Sequence, residues 1–371
     1  MVYCTVFFGR KIYLVGQKMH WRGAVAVITA VLTLNGCDQH ENSLTRAVTL
    51  SGNPNGLIHP DVKGNLLHMR GMRNLGNTCY FNAQWQVLAH NALFKAYVAS
   101  LPVLEGESVD SGIVRLTKAF LREHWSIETA KWVDPTDLMS AYRLRNSFFT
   151  PGPQNDAIEA LEHTRHILDS SSVATGGAPL TLFHFSLRSR ISCANASQNR
   201  HSDEAADDLR LSLEASDDVL QLDDLIKDYF VKEYLEDFRC GATGNVEGIR
   251  GGWRQLELAS LPQLLVIQLK RFRPRPGQPA EIIRTRVEFP EVLDVSSVPG
   301  APVESRFKLT GVVRHMGKDN SGHFIADYFH PELEQWVRAD DTTTKIIKST
   351  PNQSRTAYIL FYERLNDAHS P

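Results

Sequence analysis

Gly71-Met72-Arg73-Asn74-Leu75-Gly76-Asn77-Thr78-Cys79-Tyr80-Phe81-Asn82 is the stretch on which the fold turns. The glycines and asparagines ahead of Thr78 specify a tight, polar turn. Beyond it Phe81, Trp85 and Leu88 recur at helical spacing, which predicts a helix that starts at Cys79, with Asn77 or Thr78 placed to cap its first turn. A thiol attacks only as a thiolate, and the positive end of a helix favours that charge. A cysteine at a helix start is more often a small buried residue, so the reading needs companions elsewhere in the chain.

Working outward, Asn320-Ser321-Gly322-His323-Phe324 puts a histidine at the mouth of a predicted strand. Trp336-Val337-Arg338-Ala339-Asp340-Asp341 then offers a carboxylate able to hold an imidazole in one tautomer. Cysteine, histidine and aspartate complete a set for nucleophilic catalysis. His315 competes for the role of base, and spacing alone does not choose between it and His323. A second helix is predicted from Asn155 to about Leu168, burying Ala157, Leu161 and Leu168, because Pro151-Gly152-Pro153 forbids helix before it. Asp156 and Glu159 then share one of its faces. Leu264–Leu269, Phe307–Arg314, His323–Tyr328 and Ala357–Tyr362 read as strands of an antiparallel sheet. Ala194–Asp208 and Gly241–Gly252 are polar and read as a smaller, looser subdomain.

Taken together, these segments resemble the ubiquitin-specific proteases. Gly71–Leu88 looks like their cysteine box, and Gly311 through Phe324 looks like their histidine box. Gln154-Asn155-Asp156-Ala157-Ile158-Glu159 is similar to their acidic helix, Leu261 through Lys270-Arg271-Phe272 to their leucine-rich strand, and Ala357–Glu363 to their final strand. The resemblance implies an α+β fold of the papain-like cysteine peptidase kind, a right hand with helical thumb, antiparallel-sheet palm and reduced fingers. It also implies a deubiquitinating peptidase. Cys79 would be the nucleophile, His323 the base and Asp340 its orienting partner, with Asn74 donating to the oxyanion and Asp341 assisting. Asp156 and Glu159 would meet the arginines of the ubiquitin tail, with Gln154 and Phe324 also on the substrate side. Partners implied are ubiquitin and ubiquitinated proteins; peptidases for another ubiquitin-like modifier and non-catalytic ubiquitin binders are the competing readings.

Two departures from the family pattern stand out. Many members hold a structural zinc with two Cys-x-x-Cys pairs, whereas Cys193 is followed by Ala194-Asn195-Ala196 and Cys240 by Gly241-Ala242-Thr243. Neither zinc nor any other cofactor is therefore expected, even with His201 as a third ligand. Phe324 and Ala339 stand where the family usually has a tyrosine and an aromatic residue.

Composition is consistent with this reading. The 371 residues carry a formal net charge of -2 and no long basic run, which gives no reason to expect a nucleic-acid partner. The five cysteines, Cys4, Cys37, Cys79, Cys193 and Cys240, are odd in number and far apart, a pattern that predicts a reduced protein rather than a disulfide framework. Residues 1–37 read as signal-like: Arg22 precedes an apolar run from Gly23 to Leu34, and a start at Met19 would make Cys37 the lipidated residue of a lipoprotein. An extension ahead of the real domain is the alternative. The expected organisation is residues 1–37 as this segment, 38–67 as a polar linker, 68–366 as one monomeric catalytic domain and 367–371 as a tail.

Overall fold

The apolar spacing after Cys79 does produce a helix, α1 (Cys79–His90), and every one of its residues is buried. A helix that amphipathic spacing alone would leave half-exposed is covered on both sides. Around it the computed structural model describes residues 6–8, 11–13, 69–106, 108–126, 132–241, 248–318 and 321–365. The signal-like segment with Cys37, the linker and the tail fall outside them, apart from two short paired strands, Val6–Phe8 and Lys11–Tyr13. No described helix is long and apolar enough to cross a membrane.

The thumb adds α2 (Ala92–Ser100), α3 (Val109–His124), α4 (Thr136–Arg145) and α5 (Ala157–Ala174). Helix α3 begins at a Ser108 cap and carries Asp110 in its first turn and Arg122 in its last, so its charges oppose its dipole at both ends. Helix α5 starts two residues later than predicted because Asp156 is its N-cap, accepting from the Ile158 amide at 2.8 Å. Burial of Phe81, Trp85, Tyr142 and Phe149 in edge-to-face and tilted contacts joins α1 to this layer.

Past the thumb come β1 (Phe185–Ser192), β2 (Arg200–Ala206), β3 (Leu209–Ser212), a short α6 (Leu222–Tyr229), β4 (Glu233–Cys240), β5 (Ile249–Leu258) and β6 (Leu264–Lys270). Then follow β7 (Arg306–Lys318), β8 (Ser321–His330), β9 (Gln335–Asp340), β10 (Thr343–Ile347) and β11 (Ala357–Arg364). The palm sheet runs β10-β9-β8-β7-β11-β6-β3, with Val292–Asp294 added on β7. It is antiparallel except where β6 meets β3. Strand β6 divides its side chains by the two-residue period: Leu264 and Val266 enter the core shared with the thumb, while Leu265, Ile267 and Leu269 enter a second core. Each such fully buried aliphatic side chain stabilises by about 1.5–3 kcal/mol. The palm is thus clamped from both faces, and one face of it carries α1.

The fingers form a second sheet, β2-β1-β5-β4. Here the sequence reading needs two corrections. The polar stretch read as loose is in large part strand, β2, whose pattern carries no apolar alternation because it is a solvent-exposed edge; ion pairs such as Arg188–Asp203 at 2.7 Å tie it to its neighbour β1. Cys193 and Cys240 are not unpaired thiols but form a disulfide. They lie 47 residues apart, and it is the shared neighbour β5 that brings β1 and β4 within reach of one another.

Candidate active site

Cys79 is the first residue of α1 and 2% exposed. The turn ahead of it takes left-handed backbone at Gly76 (φ 100) and Asn77 (φ 54), conformations that glycine and asparagine tolerate and most residues do not. Thr78 caps the helix only with its backbone; its hydroxyl accepts instead from the Leu75 amide at 2.9 Å. Asn74 organises the rest. Its carbonyl oxygen accepts from Gly76 N at 2.9 Å and Thr78 N at 3.1 Å, and its amide nitrogen donates to Asp341 Oδ2 at 2.8 Å. An amide nitrogen has two hydrogens, so one is left for another acceptor.

Asp341 is held from the far end of the chain. It sits in a two-residue turn between β9 and β10 with φ 47, and its second oxygen accepts from Asn82 Nδ2 at 2.7 Å. Met72 N donates to the Asp341 carbonyl at 2.7 Å. Gly71 makes this approach feasible: a Cβ there would lie 2.3 Å from Thr342 C. Asn82 was not singled out in the sequence; its place four residues past Thr78, one turn along α1 and facing the same turn, is the signal that could have found it.

His323 Nε2 lies 2.7 Å from Asp340 Oδ1 and 4.0 Å from Asp341 Oδ2. With Nε2 engaged, Nδ1 is the nitrogen left for the thiol. Hydrogen bonding to the Cys79 sulfur is the largest influence on the ring and, with Asp340, outweighs desolvation, raising its pKa to about 9. His315 behaves in the opposite way. It is buried against Phe272 and Phe324 at ring distances of 4.9 and 5.0 Å, and desolvation lowers its pKa to about 4. Gly322 packs on that ring so tightly that a Cβ would lie 1.8 Å from His315 Nε2. The two histidines therefore separate into an accessible, proton-holding ring and a neutral core ring. Gly311 has a similar role, since a Cβ there would come 2.3 Å from Val87 Cγ1 and push α1 off the palm.

The remaining expected residues are placed less uniformly. Gln154 is exposed and its side-chain amide donates to the Gly322 carbonyl, linking the thumb side of the cleft to the histidine strand. Glu159 is exposed on the first turn of α5. Asp156 does not present its carboxylate beside Glu159 as a free face: Tyr358 Oη donates to it, 2.7 and 2.9 Å from its two oxygens, and burial lifts its pKa above the usual carboxylate range. Phe324, expected toward the substrate, is 4% exposed and packs on His315 and Tyr358. Ala339 is buried and pairs with Ala326 of β8 and Thr344 of β10. His323, Asp340 and Asp341 are the one group among the described residues with donors spaced for a metal. Because Asp341 already accepts from two amides and Asp340 from His323, the set suits a proton relay better than an ion.

Residues 70–362 match the family described as ubiquitin carboxyl-terminal hydrolase. The chain belongs to that family. Similar hydrolases include ubiquitin carboxyl-terminal hydrolase 9 of Saccharomyces cerevisiae, 27% identical over 256 residues, covering 62% of this chain and 34% of the relative. Ubiquitin carboxyl-terminal hydrolase 25 of Arabidopsis thaliana is 25% identical over 329 residues, covering 80% of this chain and 47% of the relative. The chain thus spans between a third and a half of the length of these curated hydrolases. A chain of the SAGA Ubp8/Sgf11/Sus1/Sgf73 DUB module bound to ubiquitin aldehyde superposes with a TM-score of 0.68 at 22% identity, over 81% of this chain and 70% of that one. The hydrolase fold is accordingly the papain-like α+β right hand, with α1 between thumb and palm.

Proposed function

We propose that the protein is a cysteine-type deubiquitinase that hydrolyses the peptide or isopeptide bond after the C-terminal glycine of ubiquitin. The observation that carries this is the His323 ring, held by Asp340 on one nitrogen and raised to about 9 by the sulfur of a cysteine at a helix N-terminus. That pairing keeps a proton on the imidazole at neutral pH beside the attacking sulfur. The Cys79 sulfur adds to the scissile carbonyl and His323 delivers its proton to the leaving amine. The remaining Asn74 N–H and the first-turn amides of α1 stabilise the oxyanion, and water then releases ubiquitin with His323 as base.

Asp341, fixed between Asn74 and Asn82, keeps the Asn74 amide turned toward the oxyanion. Glu159, exposed beside the cleft, meets a basic residue of the ubiquitin tail, and Gln154 marks where that tail passes between thumb and palm. We also propose that residues 1–37 export or anchor the chain through Cys37, supported by Arg22 and the apolar run that follows. Ubiquitin carrying a C-terminal electrophile tests the main reading. Covalent capture at Cys79, lost in Cys79→Ala, is expected. Capture of another ubiquitin-like modifier in its place would change the substrate, and no capture of either would remove the peptidase reading.

A further inference from the structure

The feature of the fingers that catalysis does not use is the bond between Cys193 and Cys240. Cys193 lies just past the end of β1, Cys240 ends β4, and both strands flank β5. Two strands separated by a third ordinarily stand about 9–10 Å apart. Here the two Cα atoms are 5.9 Å apart, because the chain leaves β5 after the Ser192–Trp253 pair and approaches the end of β4, where Cys240 pairs with Ile249. The sequence of β5 makes room for this at Gly251-Gly252. Gly251 takes φ 90, its carbonyl lies 3.3 Å from Cys240 Sγ, and the pairing of β5 with β4 shifts register at this point. A Cβ on Gly252 would lie 3.4 Å from the same sulfur and 3.2 Å from both Ile191 and Phe238. Cys240 is 1% exposed, whereas Cys193 is half-buried, with its amide donating to Asn199 at 2.8 Å. The crosslink is therefore seated in a site shaped for it, with Cys240 sealed and Cys193, whose sulfur lies 3.4 Å from the Gln198 carbonyl, only half-buried.

Besides the strand ladder and surface pairs such as Arg190–Glu257 and Tyr234–Trp253, little holds this part of the sheet. Phe185, Leu187 and Leu258 enter the core near the palm, but toward the tip the faces are lined by Arg190, His201, Tyr234, Asp237 and Trp253, most of them exposed. Where apolar burial is sparse, a covalent tie contributes a large share of the order.

We propose that Cys193–Cys240 is a redox clasp that sets the shape of the fingers sheet and so makes ubiquitin binding depend on an oxidising environment. The inference rests on the deubiquitinase reading above. In forming the clasp, the two thiols lose two protons and two electrons to an external disulfide, which leaves as two thiols; reduction by a dithiol reverses this through attack at Cys193. Cys79 is not one of the two bonded sulfurs and enters neither half of this exchange.

The test uses the full chain equilibrated in glutathione buffers of graded potential. Differential alkylation with mass spectrometry follows the Cys193–Cys240 pair, and steady-state kinetics on a ubiquitin C-terminal amide give KM and kcat. Reduction of the pair is expected to raise KM about tenfold with kcat little changed, because ordering a loosened surface on binding lowers affinity. Cys193→Ser/Cys240→Ser should reproduce the raised KM and lose the redox dependence. If that variant misfolds, the titration of the wild type still decides.

Equal KM for the oxidised and reduced chain would overturn the clasp, as would a stoichiometric metal ion held by the two cysteines. Capture of Cys79 by the ubiquitin electrophile, measured in the same buffers, keeps the two ideas apart. Capture without redox dependence of KM defeats the clasp alone, while no capture in any buffer defeats the deubiquitinase reading.

Discussion

Replacing Asp156 by alanine separates two roles that one acidic residue could fill, structural anchor and substrate contact. In the folded chain its side chain caps α5 through the Ile158 amide and accepts the Tyr358 hydroxyl, which is itself the acceptor for Gln268 Nε2 at 2.8 Å. Loss of an N-cap costs about 0.5–2 kcal/mol. Leaving the hydroxyl of Tyr358, a residue only 1% exposed, without an acceptor costs about 1–3 kcal/mol more. Asp156→Ala should therefore lower stability by about 1.5–5 kcal/mol, read as a fall in the urea midpoint at unchanged slope. Asp156→Asn keeps both a cap and an acceptor oxygen and should lose under about 1 kcal/mol. Glu159→Gln should leave the urea curve in place while lowering kcat/KM on a ubiquitin amide about tenfold or more, as removal of a charge-assisted pair does, and barely affecting a small ester. An unchanged midpoint for Asp156→Ala, with activity lost only on ubiquitin, would refute the anchoring argument and return Asp156 to the substrate.

Three further outcomes follow from the site. Amide hydrolysis should hold up to about pH 9 and fall above it as His323 loses the proton it gives to the leaving amine; a pH profile of kcat that declines near 7 would contradict the raised pKa. The same shift makes the stability contributed by His323 full below about 6.5 and lost as pH rises through about 9, whereas His124, buried and lowered to about 3, and His315, lowered to about 4, work the other way and should weaken the fold as pH falls below about 6.5, checked by urea midpoints across that range. Gly322→Ala should cost about 1–3 kcal/mol and displace His315, with a lowered melting temperature as its measure, and an unperturbed melting curve would show that the ring has room to move.

The residues that could be read from the chain are those whose neighbours in sequence are also their neighbours in space. Cys79 was legible because its helix follows it directly, and the strands around His323 because they are short runs rich in β-branched and aromatic residues set off by Gly, Pro and Asn. The choice of His323 over His315 depended on resemblance, since both precede or lie in strands; burial of His315 under Gly322 and Phe272 supplies the physical reason. The motif pointed to Asp156 but could not reveal Tyr358 across 202 residues of sequence. The disulfide left no spacing signal, because only the order of strands in the fingers brings its halves together, and the edge strand β2 left none because neither of its faces is apolar.

The ties from Asn74 and Asn82 to Asp341 span 267 and 259 residues. Contacts so distant form late, since most of the chain must be synthesised and ordered before they can close. Until β9 and β10 join the sheet, Asn74 has no carboxylate to orient it and His323 no Asp340. A growing or partly folded chain thus carries its nucleophile without a working base or oxyanion donor. The arrangement proposed for catalysis is assembled only when the last strands of the palm are in place, so that order at this site reports completion of the fold.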